Sequence, residues 1–294
     1  MNRLHLELDA SALLERVAAN VPESLRNNAV VIGSIATAWA FREVSGTNTV
    51  ATKDIDLLLR PGIDAVSTAI TLGQVLLEEG WQPRFPQGRE RATADMADDE
   101  LPALRLTPPG GEDGWFLELL AAPPFEQKER KHWQRFVTSA GIFGLPSFRY
   151  MPVAVFDAEQ TVHGLRVAKP ACMALAHLLE HAEPNRTPIS GLPGNPPRFV
   201  KDIGRAVALW WLAGQASVTA AGDWRAAWGA VMDALYPNHR AEMLSAARTG
   251  LHSLEGHVRD AHQLAMTSVL ASHGTTLGAF QRAYAGLFRL LEHD

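Results

Sequence analysis

Asp54 and Asp56 stand one residue apart in TKDIDLLL, residues 52–59, a run that is otherwise almost wholly aliphatic. A buried carboxylate is costly without a partner, and two neighbouring ones repel each other. Side chains at i and i+2 of a strand share a face, so Asp54 and Asp56 are expected side by side, with Ile55 and Leu57 pointing into the layer behind. Glu118 is the lone charge in WFLELLAA, residues 115–122. If that strand lies beside the first, three carboxylates converge on one spot. Such a cluster is electrostatically poor unless a divalent cation fills it, and hard oxygen ligands suit Mg²⁺ or Mn²⁺. The plainer alternative for Asp-x-Asp is a solvated strand end.

A second constellation is NAVVIGS, residues 28–34, an apolar strand running into Gly33 and Ser34 ahead of a helical pattern. A strand–turn–helix of this kind offers backbone N–H groups, a hydroxyl and a favourable helix dipole to a phosphate. Gly33 permits close approach to the backbone. The alternative is that Ser34 only caps the helix. GSIATAWA lacks the second Gly and the Lys-Ser/Thr of a P-loop, and it does not match a dinucleotide fingerprint.

The elements that must hold these residues follow from periodicity and punctuation. Residues 10–20 read as a helix with Ser11 as its candidate cap, and IATAWAFREV as another. A loop with Gly46, Thr47 and Asn48 leads to the Asp-x-Asp strand, and residues 64–80 form a helix stopped by Gly80. ALRLTPP, the GGEDG turn and WFLELLAA predict a hairpin, and residues 152–167 a second one. After Lys169-Pro170 the pattern is helical throughout, interrupted by EPNRTPISGLPGNPP at 183–197, which is expected to be a mobile loop. The fold class expected is an α/β core with a small mixed sheet over residues 1–168, then an all-helical domain over 169–294. Read as a helix from about Pro197, residues 198–212 place Arg198, Lys201, Asp202 and Arg205 on one face and Val200, Ile203, Val207 and Trp210 on the other.

Taken together, VVIGSIATAWAF, then TKDIDLLL about 20 residues later, then FLELL, resembles the DNA polymerase β-type nucleotidyltransferase superfamily. RVAKPACMALAHLLEH followed by RFVKDIGRAVAL is similar, within it, to the bacterial abortive-infection and toxin-type (AbiEii-like) transferases; the resemblance spans residues 28–212. It implies that Asp54, Asp56 and Glu118 hold Mg²⁺ (or Mn²⁺) and that Gly33 and Ser34 face the phosphates of an NTP substrate. The charged face of residues 198–212 is expected to look toward these acids, with Lys201 contacting the β- and γ-phosphates and Asp202 orienting Lys201 or taking the acceptor's proton; the alternative is a solvated helix face laced with ion pairs. Family members carry a lysine within the first helix of the second half, where this chain has His177, with Lys169 earlier in the segment; the phosphate-contacting role falls to these two. The activity implied is transfer of a nucleoside monophosphate to a hydroxyl of an RNA end, a protein or a small molecule, in a toxin-like setting with an antitoxin partner. The replacement at His177 supports an alternative, a non-catalytic nucleotide-binding or interaction protein on the same fold.

Composition sets the outer limits. At 294 residues, 47% hydrophobic and 20% charged with net charge −5, the chain does not have the basic balance of a protein that coats nucleic acid. Its one cysteine, Cys172, excludes an intrachain disulfide and a four-cysteine zinc site and reads as a buried thiol. No run approaches the roughly 20 apolar residues of a membrane span, and the amphipathic, acidic start lacks a signal-peptide core, so a cytoplasmic protein without a membrane partner is expected. KERKHWQRF at 128–136 reads as a solvated helix with an apolar stripe, or as a nucleic-acid contact. His177 and His181, at i and i+4, match a zinc spacing without an evident third ligand beyond Glu180. No Gly-x-Ser-x-Gly elbow is present.

Overall fold

The computed structural model describes residues 6–45, 49–85, 91–111, 114–124, 129–190, 192 and 194–292. The Gly46-Thr47-Asn48 loop, Glu112 and Asp113 of the GGEDG turn, Lys128, and Gly191 and Pro193 of the Pro/Gly-rich loop lie outside these residues. In chain order the first elements are β1 (Leu6–Asp9), α1 (Ala10–Asn20), α2 (Glu23–Arg26), β2 (Ala29–Ile32), α3 (Gly33–Ala40), α4 (Arg42–Ser45), β3 (Thr49–Thr52), β4 (Asp54–Leu59) and α5 (Ala65–Glu78). Then follow β5 (Gln82–Pro83), β6 (Arg105–Thr107), β7 (Phe116–Ala121), β8 (Lys131–Thr138), β9 (Gly141–Phe148), α6 (Met151–Ala154), β10 (Glu159–Gln160) and β11 (Arg166–Val167). The rest is helical: α7 (Pro170–Glu180), α8 (Arg198–Ala216), α9 (Ala220–Leu235), α10 (Arg240–His252), α11 (Val258–Met266) and α12 (Leu277–Glu292). The chain is thus a mixed α/β structure with a helical C-terminal region.

The main sheet runs β10-β11-β2-β4-β7-β6-β5, and β9 joins it through β7. Its pairs are mixed: β2 is antiparallel to β4, β4 parallel to β7, and β7 antiparallel to β6. β1 and β3 form a separate antiparallel pair. The central strands are buried because their sequences are. Val30, Val31, Ile55, Leu57, Leu58, Leu59, Leu117 and Leu119 are all fully enclosed, as strands covered on both faces require.

Local signals explain most boundaries. α5 closes with a Schellman motif: the Gly80 N–H donates to the Leu77 carbonyl and the Trp81 N–H to the Leu76 carbonyl, with Gly80 at φ +87°. α1 is capped by Asp9, whose carboxylate accepts from the Ala12 N–H at 2.8 Å. Ser11 is not the cap; it lies inside the helix with its hydroxyl 3.3 Å from His163 Nε2. IATAWAFREV is divided at Phe41 into α3 and α4.

One expectation is corrected and another is narrowed. KERKHWQRF is not a helix: Lys131 to Thr138 form β8, paired residue for residue with β9 in a hairpin closed at Thr138↔Gly141. Residues 152–167 contain only a short β10–β11 pairing, after the helical turn α6. The C-terminal helices pack as a cluster, α8 against α7, α11 and α12, and α10 against α7. Val200, Ile203 and Val207 of α8 are fully buried in it. Among the described residues no helix is long and apolar enough to cross a membrane.

Candidate active site

Register brings the carboxylates together. β4 lies beside β7 with Asp56 opposite Glu118 and Asp54 opposite Phe116, so all three acids share one sheet face. Asp54 Oδ1 accepts from Thr52 Oγ1 at 2.6 Å. Burial, then the charges of Asp54 and Glu118, hold the Asp56 carboxyl well above the usual carboxylate range, against the pull of Arg205 and Lys201. Glu118 has an ion-pair partner: its Oε2 accepts from Arg105 Nε at 2.7 Å. Among the described residues, no set of three or more His, Cys, Asp and Glu side chains is arranged to hold a metal ion. What fits a divalent cation is the pair Asp54 and Asp56, all-oxygen donors whose mutual repulsion a cation would relieve.

The turn after β2 is shaped by the same carboxylates. Gly33 has φ +72°, and a Cβ there would stand 2.9 Å from Asp56 Oδ2. Glycine is therefore required both by the backbone and by the acid behind it. Ile32 occupies the N-cap position of α3 and no side chain caps that helix. The capping alternative for Ser34 is thereby corrected: this buried hydroxyl instead accepts from Arg205 Nη2 at 3.3 Å.

That hydrogen bond ties α8 to the first turn of α3, just after β2. Lys201 and Arg205, one turn apart on α8, both bear electrostatically on Asp56, and Lys201 on Asp54. Burial and the Arg205 charge lower the Lys201 ammonium from its ordinary value, while Asp202 and Asp54 oppose them. Burial by itself would raise Asp202, yet the hydrogen bond from His181 and the charges around it hold its carboxyl well below the usual range. His181, 1% exposed, is 3.1 Å through Nε2 from Asp202 Oδ2, and its Nδ1 accepts from the Asn185 N–H at 3.3 Å. The proton therefore sits on Nε2 and is given to Asp202. Burial pushes the neighbouring His177 imidazole down to about 4, so it is neutral.

Gly33, Ser34, Asp54, Asp56, Lys201, Asp202 and His177 are thus linked, through Arg205 and by close approach or charge, into one group. Lys169 is not part of it: it forms an ion pair with Asp157 at the start of α7. About 12 Å of helix rise separates it from His177, and it lines a cavity of about 780 Å³ with Trp39, Arg42, Glu159 and Gln215. His181 belongs to the Asp202 hydrogen bond, not to a zinc site with His177. Arg205 and Arg105 had no assigned role from the sequence. Arg205 was findable as the residue one turn after Lys201; Arg105 depended on strand pairing.

No family model matches the chain, and no curated protein matches it. Among solved structures, the crystal structure of an antigenic nucleotidyltransferase-like protein from Paracoccidioides brasiliensis is similar over 83% of this chain and 95% of its own, at 13% identity and a TM-score of 0.31. At that level the likeness adds no functional weight.

Proposed function

We propose that this chain is a divalent-metal-dependent nucleotidyltransferase that moves a nucleoside monophosphate from an NTP to a hydroxyl. The observation that carries this reading is the meeting of two sheet carboxylates, Asp54 and Asp56, with two cations of a helix, Lys201 and Arg205, beside the Gly33–Ser34 turn. Asp54 and Asp56 would hold Mg²⁺ or Mn²⁺, which when bound neutralises the triphosphate and makes the attacking hydroxyl more acidic. Lys201 and Arg205 face the departing phosphates, where charge grows during transfer. Phosphoryl chemistry asks the protein mainly for in-line positioning and charge neutralisation. The acceptor oxygen bonds to the α-phosphorus as the bond to the bridging oxygen breaks. Pyrophosphate leaves with that electron pair, and the hydroxyl proton passes to water. Asp202 is a weak base at its depressed pKa, so its role is to fix α8 on α7 through His181.

The ion pair between Glu118 and Arg105 favours a second reading, a nucleotide-binding protein without turnover, because it occupies the third carboxylate. The toxin-like role, with its antitoxin partner, rests only on the sequence pattern of residues 169–212. Incubation with each labelled NTP and Mg²⁺ or Mn²⁺ in cell extract separates the readings. Transfer of label, with pyrophosphate release abolished by Asp54→Asn, supports the enzyme. NTP binding without either product supports the second reading.

A further inference from the structure

The sheet face that carries the acids continues beyond Glu118. Asp56 lies opposite Glu118, and Glu118 opposite Arg105. Just past β5, the Arg84 N–H donates to the Arg105 carbonyl at 2.8 Å. Residues opposed across strands share a face, so Asp56, Glu118, Arg105 and Arg84 form one row, two anions followed by two cations. Phe116, opposite Asp54, props both cations: the Arg84 and Arg105 guanidinium carbons lie 4.8 and 5.2 Å from its ring centroid. Two like charges held against one ring repel each other. Glu118 balances Arg105 at 2.7 Å. Arg84 is exposed and donates to the Gly114 carbonyl at 3.2 Å, and among the described residues no carboxylate pairs with it.

The acids therefore have cations on two sides. Lys201 and Arg205 stand on the α8 side, Arg105 and Arg84 toward the free edge of the sheet. In the reading above the α8 pair meets the triphosphate, which leaves the edge pair without a partner among the reactants. We infer that Arg84 and Arg105 bind a phosphate carried by the acceptor, placing its hydroxyl beside Asp54 and Asp56. This inference rests on the proposed nucleotidyl transfer. The chemistry fits because a guanidinium fork matches phosphate oxygens in two-point contact, and a phosphate ester supplies the counter-charge that Arg84 lacks beside the Glu118–Arg105 pair. Two sources share that chemistry, the sugar-phosphate end of a nucleic-acid strand and a small phosphorylated alcohol.

The test uses the full chain, wild type and Arg84→Gln, with three kinds of probe measured separately: a labelled single-stranded oligoribonucleotide, glycerol 3-phosphate, and each NTP with Mg²⁺ or Mn²⁺. Arg84 is exposed, so the variant is expected to fold, and a thermal midpoint equal to wild type checks this. At least one phosphate probe should bind the wild type, and Arg84→Gln should weaken it about tenfold, the scale of one charge-assisted contact. Oligonucleotide binding alone identifies a strand end as the source; glycerol 3-phosphate binding identifies a small acceptor. Binding of neither phosphate probe, or equal binding by the variant, overturns the inference. If an NTP is nonetheless turned over, nucleotidyl transfer stands without this acceptor site. If a phosphate probe binds through Arg84 while no NTP is bound or turned over with Mg²⁺ or Mn²⁺, the anion site stands and the nucleotidyltransferase reading falls.

Discussion

At position 33 two demands coincide. The backbone is left-handed at φ +72°, and a Cβ would meet Asp56 Oδ2 at 2.9 Å. From the sequence, Gly33 reads as room for a phosphate; the structure adds that it is room for the carboxylate. Gly33→Ala is therefore expected to destabilise the fold by about 1–3 kcal/mol, from the left-handed backbone and the contact together, and to weaken Mn²⁺ binding by displacing Asp56. Chemical denaturation and calorimetry check the two effects. Adding Asp56→Ala should recover part of the lost stability; strict additivity would show that the clash is not with Asp56. Asp56→Asn alone should raise the thermal midpoint without metal, since it removes a carboxyl whose ionised form burial and the charges of Asp54 and Glu118 disfavour. Asp54, Asp56 and Glu118 were legible as residues because charge stands out in an aliphatic run. Arg105 and Arg84 were not, because their meaning depends on which strands pair.

Among the elements, α8 was legible and β8 was not, for the same reason. In α8, Pro197 ahead of the first turn and apolar residues at i, i+3 and i+7 agree with one another, and the charged face follows from geometry. In β8, Trp133 and Phe136 stand three apart, as in a helical stripe, and the partner strand disguises itself with Gly144 and Pro146. Gly144 is there because Trp133 lies over it: a Cβ would sit 2.7 Å from the indole. The α7–α8 pair depends on the buried His181–Asp202 contact at 3.1 Å. His181→Ala leaves Asp202 without its donor, which by analogy with broken buried pairs costs roughly 3–5 kcal/mol. The double variant His181→Ala with Asp202→Ala should be more stable than His181→Ala alone, because no buried charge is then stranded. A double variant less stable than either single one would show that the pair is not coupled in this way.

For the whole molecule, stability against pH carries two opposed groups on α7, one turn apart. Burial pushes His177 down to about 4. Its ordinary value is about 6.5, so the neutral imidazole contributes stability above about 6.5 that is lost as pH falls toward 4. Burial likewise pushes Glu180 up to about 7, outweighing Arg130 at 3.4 Å. A carboxyl whose folded pKa is raised contributes stability in full below its unfolded value of about 4.5, and that contribution is lost as pH rises through 7. Between about 4.5 and 6.5 the folded chain thus binds one proton more at Glu180 and one fewer at His177 than the unfolded chain. The two slopes cancel there, each at most about 1.4 kcal/mol per pH unit. Removing either group exposes the other. Relative to wild type, His177→Gln should lose stability as pH rises across that window, and Glu180→Gln should lose it as pH falls. Denaturant midpoints at half-unit intervals from pH 4 to 7.5 read both slopes. Parallel curves for the two variants would show that neither group is shifted by its burial.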